Sequence, residues 1–150
     1  MVGALAHIHS CNVFHRDIKP ENILVCANDE LKISDFGWSV RALTTQRRTM
    51  CGTMDYLCPE IIENKLYDSS VDIWALGVLA FELTTGNAPF YNKDRQIQYR
   101  NIRHVNIKYP EHLSAECVDF ISRLLQKRPQ DRMKLQEALE HPWIQNNLIS

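Results

Sequence analysis

The segment HRDIKPEN at residues 15–22, followed by DFG at residues 35–37, decides the fold of this chain. In chain order, the two motifs contain a histidine, an arginine, an aspartate, a lysine, an asparagine and a second aspartate. A single aspartate in a loop usually forms a turn. Turn formation does not explain the whole ordered set, so the pattern predicts a chemical site carried on loops.

The sequence around these motifs fits that prediction. Apolar residues recur at helical spacing in residues 1–10, which predicts a helix there. Residues 23–25 and 31–33 are short runs of β-prone residues, and they predict a β-hairpin. Because Asn22 precedes the first strand and Asp35 follows the second, the hairpin would bring these two side chains close together.

The composition indicates a single globular unit. Of the 150 residues, 45% are hydrophobic and 23% are charged, so a sizeable core can form. The net charge of -1 predicts neither a nucleic-acid nor a membrane partner. The five cysteines are scattered without a C-x-x-C pair, and no secretory signal pattern is present, which together predict reduced thiols in an intracellular protein.

The most apolar stretch is residues 71–83, within which residues 74–81 contain no charge. It is much shorter than a bilayer crossing, so it predicts a buried core helix. Ser69 or Ser70 is expected to cap its start, and Gly86 its end. Three further helices are predicted at residues 94–103, 117–125 and 134–140, and further core positions at Phe120, Leu124 and Trp143. The predicted fold is therefore mainly α, with a small β-hairpin beside the motif loop.

The order H-R-D-x-x-x-x-N and then D-F-G resembles the motif set of protein kinases. Phosphoryl transfer moves dense negative charge, so it needs positioned cations and one base for the hydroxyl proton. The resemblance implies that Asp17 is this base and that Lys19 neutralises the transferred group. Asn22 and Asp35 offer hard oxygen ligands, and would bind Mg2+ at the phosphates of ATP. On this interpretation, cofactor binding falls to Lys19, Glu21, Asn22 and Asp35.

Two features of the resemblance concern the protein substrate. Thr53 matches the kinase threonine that links Lys19 to Asp17, which adds it to the catalytic set and favours serine or threonine substrates over tyrosine. Glu21 matches the kinase acid that recognises an arginine just before the target residue, through a charge-assisted hydrogen bond. The alternative for Glu21 is a structural role in a tight loop.

Residues 35–60 are polar and basic without sustained periodicity, and a loop of this length is usually functional. The resemblance implies an activation segment with a regulatory phosphate on Thr49, which follows the basic pair at residues 47–48. Arg16, beside the expected base, would bind that phosphate and order the segment. An exposed hydroxyl without a regulatory role is the alternative for Thr49.

Three residues are expected to act as scaffold. Glu60 follows Cys58 and Pro59 where kinases usually carry A-P-E or P-P-E, and the resemblance implies an ion pair between Glu60 and Arg132. Asp72 matches the kinase aspartate that braces the backbone of the catalytic loop. A surface carboxylate near a helix N-terminus, which the helix dipole favours, is the alternative for Asp72.

Within the kinases, Trp38 directly after D-F-G and the string TMCGT at residues 49–53 resemble the Aurora family. Cys58 and Ala88 depart from that family's pattern. The resemblance implies a serine/threonine kinase that acts on sites near basic residues in mitosis, with mitotic activator or scaffold proteins as partners. It also implies a location in the nucleus or cytoplasm, at the spindle, centrosome or chromosomes.

Two kinase features do not occur in these residues. The chain has only five glycines, none in a G-x-G-x-x-G loop, and no V-A-I-K strand precedes the motif loop. Residues 1–150 are therefore interpreted as a partial kinase domain, the C-terminal lobe without the lobe that covers ATP. One hypothesis is an Aurora-like kinase whose sequence is incomplete here; the other is a non-catalytic lobe that acts as a protein-binding module.

Overall fold

Helices make up most of the regular structure in the computed structural model, which describes residues 1–28, 30–41 and 53–147. Three short 3-10 turns, at Pro20–Asn22, Met54–Tyr56 and Pro129–Asp131, accompany the longer elements. The strands are β1 Val13–Phe14, β2 Ile23–Val25, β3 Leu31–Ile33 and β4 Val40–Arg41. The helices are α1 Val2–Ser10, α2 Pro59–Ile62, α3 Ser70–Thr85, α4 Arg95–His104, α5 Ala115–Leu124, α6 Leu135–Glu140 and α7 Pro142–Gln145. The mainly α fold predicted from the sequence is confirmed.

The predicted hairpin is confirmed, and its register positions the motif loop. Strands β2 and β3 are antiparallel, with Ile23 opposite Ile33 and Val25 opposite Leu31. One residue beyond this ladder, the Ser34 amide donates to the Asn22 carbonyl over 2.8 Å. The hairpin therefore holds the end of the first motif against the start of the second.

A second pair of strands was not predicted. Strand β1 pairs with β4 in antiparallel register, which places the backbone of Val13 opposite Arg41 and that of Phe14 opposite Val40. The sequence predicts no regular structure in residues 35–60, because they show no sustained periodicity. A strand of two residues is too short to show an alternating pattern, so only the tertiary pairing defines it.

Helix α3 forms the centre of the core. Trp74 and Val78 are fully buried, and Leu79 is almost so. Gly77 allows a close approach to α5, because a β-carbon at this position would lie 2.8 Å from the Leu125 side chain. The helix ends as predicted at Gly86, which adopts the left-handed conformation with φ of 79°. In the described ranges, no helix has the length and apolar character needed to cross a membrane.

The start of α3 differs in detail from the prediction. Ser69 occupies the N-cap position, but its side chain accepts no capping hydrogen bond. Asp68 instead accepts the Ser70 amide over 2.9 Å. Asp68, one position before Ser69, therefore satisfies the Ser70 amide, whereas the sequence predicts a serine cap.

The remaining helices pack around α3. Helix α5 buries Phe120, Ile121 and Leu124. Trp143 of the short α7, a helix that the sequence did not predict, packs against Phe120 at a ring-centroid distance of 4.8 Å. Helix α4 begins after Asp94, whose carboxylate accepts the amides of the first turn. These helices surround the core. The motif loop lies between β1 and the hairpin in chain order.

Glu60 and Arg132 form a buried ion pair between α2 and the end of the last 3-10 turn. The guanidinium donates to both Glu60 oxygens over 2.7 Å. It also donates to the Ser70 carbonyl over 3.0 Å and lies 5.1 Å from the Trp74 ring centroid. Cys58, the departure from A-P-E, is buried beside this pair, and burial raises the pKa of its thiol. An uncharged small residue therefore fits the position.

Removal of one partner of this buried pair should strongly destabilise the chain. We expect Arg132→Met to lower the free energy of unfolding by about 3–5 kcal/mol, because the Glu60 charge is left buried without compensation. Lys65→Met, which removes the exposed partner of the pair of Lys65 with the partly buried Glu63, is the matched control and should cost at most about 1 kcal/mol. Urea denaturation measures both, and equal losses would show that Glu60 and Arg132 contribute no more than a surface pair.

Candidate active site

Asp72 anchors the backbone of the motif loop. Its carboxylate is fully buried and accepts the amides of His15 and Arg16, each over 2.8 Å. His9 on α1 contacts the same carboxylate through Nε2, also at 2.8 Å. Arg16 has a positive φ of 69°, which costs energy in a residue with a side chain and persists where the surroundings hold it. The two hydrogen bonds that Asp72 accepts hold the Arg16 backbone in this conformation.

His15 links the two motifs. It is fully buried, its Nδ1 accepts the Asp17 amide over 3.3 Å, and its Nε2 donates to the Ser34 carbonyl over 2.8 Å. These contacts require the tautomer with the proton on Nε2. The ring of Phe36 packs edge-on against His15 at 4.9 Å. One side chain thus connects the residue before Asp35 to the loop that carries Asp17.

Asp17, Lys19, Asn22 and Thr53 are brought together as a group. The Lys19 ammonium lies 3.1 Å from Asp17 Oδ2 and donates to Thr53 Oγ1 over 2.9 Å. The Asn22 amide nitrogen donates to the Asp17 carbonyl over 2.7 Å and to Asp17 Oδ2 over 3.0 Å. Asp17 is only 7% exposed, so its carboxylate is oriented by protein donors. The group can hold a carboxylate base beside a fixed cation.

The donor set at Asn22 and Asp35 fits a magnesium ion held together with phosphates. Since the Asn22 amide nitrogen is used by Asp17, its amide oxygen points the other way. Asp35 is exposed, and its Oδ1 accepts the Gly37 amide over 3.2 Å. Among the described residues, no group of three or more His, Cys, Asp or Glu side chains could hold a metal alone. Mg2+ commonly takes few protein ligands and completes its shell with phosphates and water.

Glu21 is exposed. Two acids at Tyr56, Glu82 and Asp55, are not among the site residues that the sequence predicts. Tyr56 donates its hydroxyl to Glu82 over 2.5 Å. Burial raises the pKa of that hydroxyl, and the negative charges of Glu82, Glu21 and Asp55 raise it further. Three carboxylates from separate parts of the sequence thus contribute to the raised pKa of the Tyr56 hydroxyl.

Arg16, the predicted phosphate ligand, has other partners in the structure. Its Nε donates to the Trp38 carbonyl over 2.7 Å, and its Nη1 donates to the Tyr67 hydroxyl over 3.1 Å. Thr49 lies outside the described residues, as does the basic pair before it. The geometry of the predicted regulatory pair is therefore not part of the structure described.

A largely apolar groove does not coincide with this site. Its volume is about 470 Å³, and it is lined by residues of α1, α3, α5 and α7, together with Met1, Leu139 and Asn147. No predicted site residue lines it. The groove beside Asp17 and Thr53 is much smaller, at about 20 Å³.

Several partners of the site were missed by sequence reasoning. His9, Glu82, Asp55 and Gln98 are not among the site residues that the sequence predicts. Gln98 donates to Asp55 over 2.6 Å from α4. Glu82 and Gln98 reach the site from helices distant in sequence, so no local motif contains them. Asp55 lies only two residues after Thr53, but the sequence gives it no role. A carboxylate at the end of an apolar run was the one available signal, and it applies to Glu82.

Comparisons of the sequence with known proteins identify the family of the chain. The family model of the protein kinase domain matches residues 1–144, and the chain belongs to the protein kinase family. Aurora kinase A-B of Xenopus laevis is 51% identical over 147 residues, which cover 98% of this chain and 36% of that protein. Aurora kinase C of Mus musculus is 48% identical over 144 residues, which cover 96% of this chain and 52% of that protein. Within the kinase family, the chain is similar to these Aurora kinases.

The Aurora kinase of Dictyostelium discoideum is 47% identical over 147 residues and shows the same difference in length, since the match covers 38% of it. The chain therefore spans about a third to a half of the length of these relatives.

Asp72→Ala should release the backbone of the motif loop. It leaves the His15 and Arg16 amides without their acceptor, so we expect unfolding to become easier by at least about 2 kcal/mol. Hydrogen exchange at these two amides should accelerate before global unfolding. Asp94→Ala is the control, because it removes an exposed helix cap at a cost of about 1 kcal/mol and should leave exchange at His15 and Arg16 unchanged.

Proposed function

We propose that this chain carries the catalytic loop of an Aurora-type serine/threonine protein kinase, which transfers the γ-phosphoryl group of ATP to a protein hydroxyl. The observation that carries the proposal is the position of the Lys19 ammonium, 3.1 Å from Asp17 Oδ2 and 2.9 Å from Thr53 Oγ1. A base and a cation are thereby fixed side by side, as phosphoryl transfer requires.

In this mechanism Asp17 accepts the proton of the attacking hydroxyl at Oδ1, because Lys19 and Asn22 both contact Oδ2. Asn22 orients the carboxylate through its amide nitrogen, so that one oxygen remains directed at the substrate. Lys19 stabilises the charge that develops on the transferred group, and Thr53 fixes the ammonium in place. The low exposure of Asp17 limits competition from water.

Asn22 and Asp35 would hold Mg2+ with ATP, through the Asn22 amide oxygen and the Asp35 carboxylate. The bound Mg-ATP supplies the phosphoryl group and neutralises its charge. The contact between His15 and the Ser34 carbonyl keeps Asp35 in register with Asp17. In this way the His15 side chain helps to set the position of the proposed metal ligand relative to the base.

The substrates proposed are serine or threonine sites near basic residues. The contact of Thr53 with Lys19 supports the choice of an aliphatic hydroxyl, and Glu21 with the nearby Glu82 and Asp55 supports a preference for cationic side chains. Relatives named Aurora kinase support a mitotic role, with activator or scaffold proteins as partners and with the spindle, centrosome or chromosomes as the location.

Asp17→Asn and Asp35→Ala should each abolish most phosphoryl transfer in the natural protein that contains this chain. We expect kcat to fall by about 100-fold or more, because base and metal ligand act as one unit. Circular dichroism should show both variants folded. The exposed Asp119→Asn on α5 is the control. Near-normal transfer to a basic serine peptide by either variant would refute the assignment.

Residues 1–150 alone are expected to bind Mg-ATP weakly and to transfer phosphate undetectably. They contain no glycine-rich loop and no V-A-I-K lysine to hold the phosphates against the metal ligands. Calorimetric titration with Mg-ATP and an assay on a basic serine peptide test this. Turnover by this chain would refute the partial-domain interpretation; specific protein binding without turnover in the natural protein would favour the binding-module hypothesis.

Phosphorylation of Thr49 should raise activity. Two basic residues precede Thr49, and a phosphate there would compete for the Arg16 guanidinium, which now donates to Trp38 and Tyr67. Phosphopeptide mapping together with Thr49→Ala measures the effect, with Thr44→Ala as the matched control. Full activity of Thr49→Ala and no phosphate at this position would move the switch elsewhere.

A further inference from the structure

A buried hydrogen bond connects α4 to the turn that follows Thr53. Gln98 is only 5% exposed, and its side-chain nitrogen donates to Asp55 Oδ1 over 2.6 Å. Glutamine is seldom buried unless its amide is paired. The short contact with a carboxylate is charge-assisted, which makes it stronger than a bond between neutral groups.

The turn is held from two sides. Asp55 and Tyr56 belong to the 3-10 turn Met54–Tyr56, which begins directly after Thr53. Gln98 on α4 holds Asp55, and Glu82 on α3 holds the Tyr56 hydroxyl. The turn itself is closed by the Tyr56 amide, which donates to the Thr53 carbonyl over 2.9 Å. The position of this turn is therefore set jointly by two helices and by the residue that contacts Lys19.

The charge around the turn is negative. Glu82 accepts from Tyr56, and Asp55 is the preceding residue in the same turn. The two carboxylates and Glu21 all act on the Tyr56 hydroxyl, whose pKa is raised first by burial and then by these charges. A cationic side chain of a peptide is the ligand such a region attracts.

We propose that Gln98 is a positioning residue for substrate recognition, which fixes the Asp55 carboxylate so that it acts together with Glu82 and Glu21 on a cationic residue of the peptide. The proposal rests on the proposed kinase function. A carboxylate that is already oriented loses little freedom when it binds a cation, so the tether increases affinity for basic peptides. Gln98 touches neither the base nor the metal ligands, so it does not alter the chemical step.

The tether itself is tested by hydrogen exchange in the natural protein that contains this chain. Gln98→Ala should accelerate exchange of the Tyr56 and Leu57 amides, which close the turn by donating to the Thr53 and Met54 carbonyls. The matched control is Gln96→Ala, which changes the same residue type at an exposed position of the same helix. Unchanged exchange in Gln98→Ala would overturn the tether.

The role in recognition is tested by kinetics on two peptides, one with arginines near the serine and one with those arginines replaced by alanine. Gln98→Ala should raise KM for the basic peptide by about three- to ten-fold and leave kcat within about two-fold. KM for the neutral peptide should not change. A loss of packing alone would affect both peptides equally.

A second test exchanges the amide and the carboxylate between positions 98 and 55, in a variant designed to preserve the fold. Gln98→Glu alone places two carboxylates together and should raise both the exchange rate and KM. Gln98→Glu combined with Asp55→Asn restores an amide donor and a carboxylate acceptor in reversed order, so it should return the exchange rate toward the original value. KM for the basic peptide should stay raised, because the Asp55 carboxylate is absent.

The outcomes separate the two proposals. An inactive unaltered protein would overturn the kinase function, while the exchange measurement would still decide whether Gln98 holds the turn. An active protein in which Gln98→Ala accelerates exchange but raises KM equally for both peptides would overturn the role in recognition.

Discussion

The buried carboxylate of Asp72 is the constraint on which the site depends. It accepts two consecutive backbone amides of the motif loop, at His15 and Arg16, and a third contact comes from His9. A buried charge persists only when its hydrogen-bonding capacity is used, so the loop must return to this point of α3. The strained φ of Arg16 follows from that requirement. The position of Asp17, the next residue, is therefore set by the core helix.

Side-chain contacts connect Asp17 to the elements around it. Lys19 connects it to Thr53, and the turn after Thr53 is held by Gln98 and by Tyr56 with its partner Glu82. Each contact joins an element that is distant in sequence to the same small region. This gives a physical reason why helices α3 and α4, which carry no catalytic motif, affect the substrate side of the site.

The pair of Glu60 and Arg132 has a structural role outside the site. It lies in the core against Trp74 and fixes α2 to α3 through the Ser70 carbonyl. Its charges are fully enclosed, so the pair specifies one arrangement of these elements more than it adds stability. The segment that bears Thr53 is thus bounded by a rigid anchor on its C-terminal side.

The motif loop, the hairpin and the central helix can be predicted from the amino-acid sequence, because each has a local signal: ordered polar residues, β-prone runs and an uncharged apolar stretch. Family resemblance adds the partners Glu60 and Arg132. The pairing of β1 with β4, the contact of His9 with Asp72 and that of Gln98 with Asp55 become visible in the folded structure alone. These interactions join residues far apart in the chain, and neither spacing nor composition encodes which buried polar groups will meet.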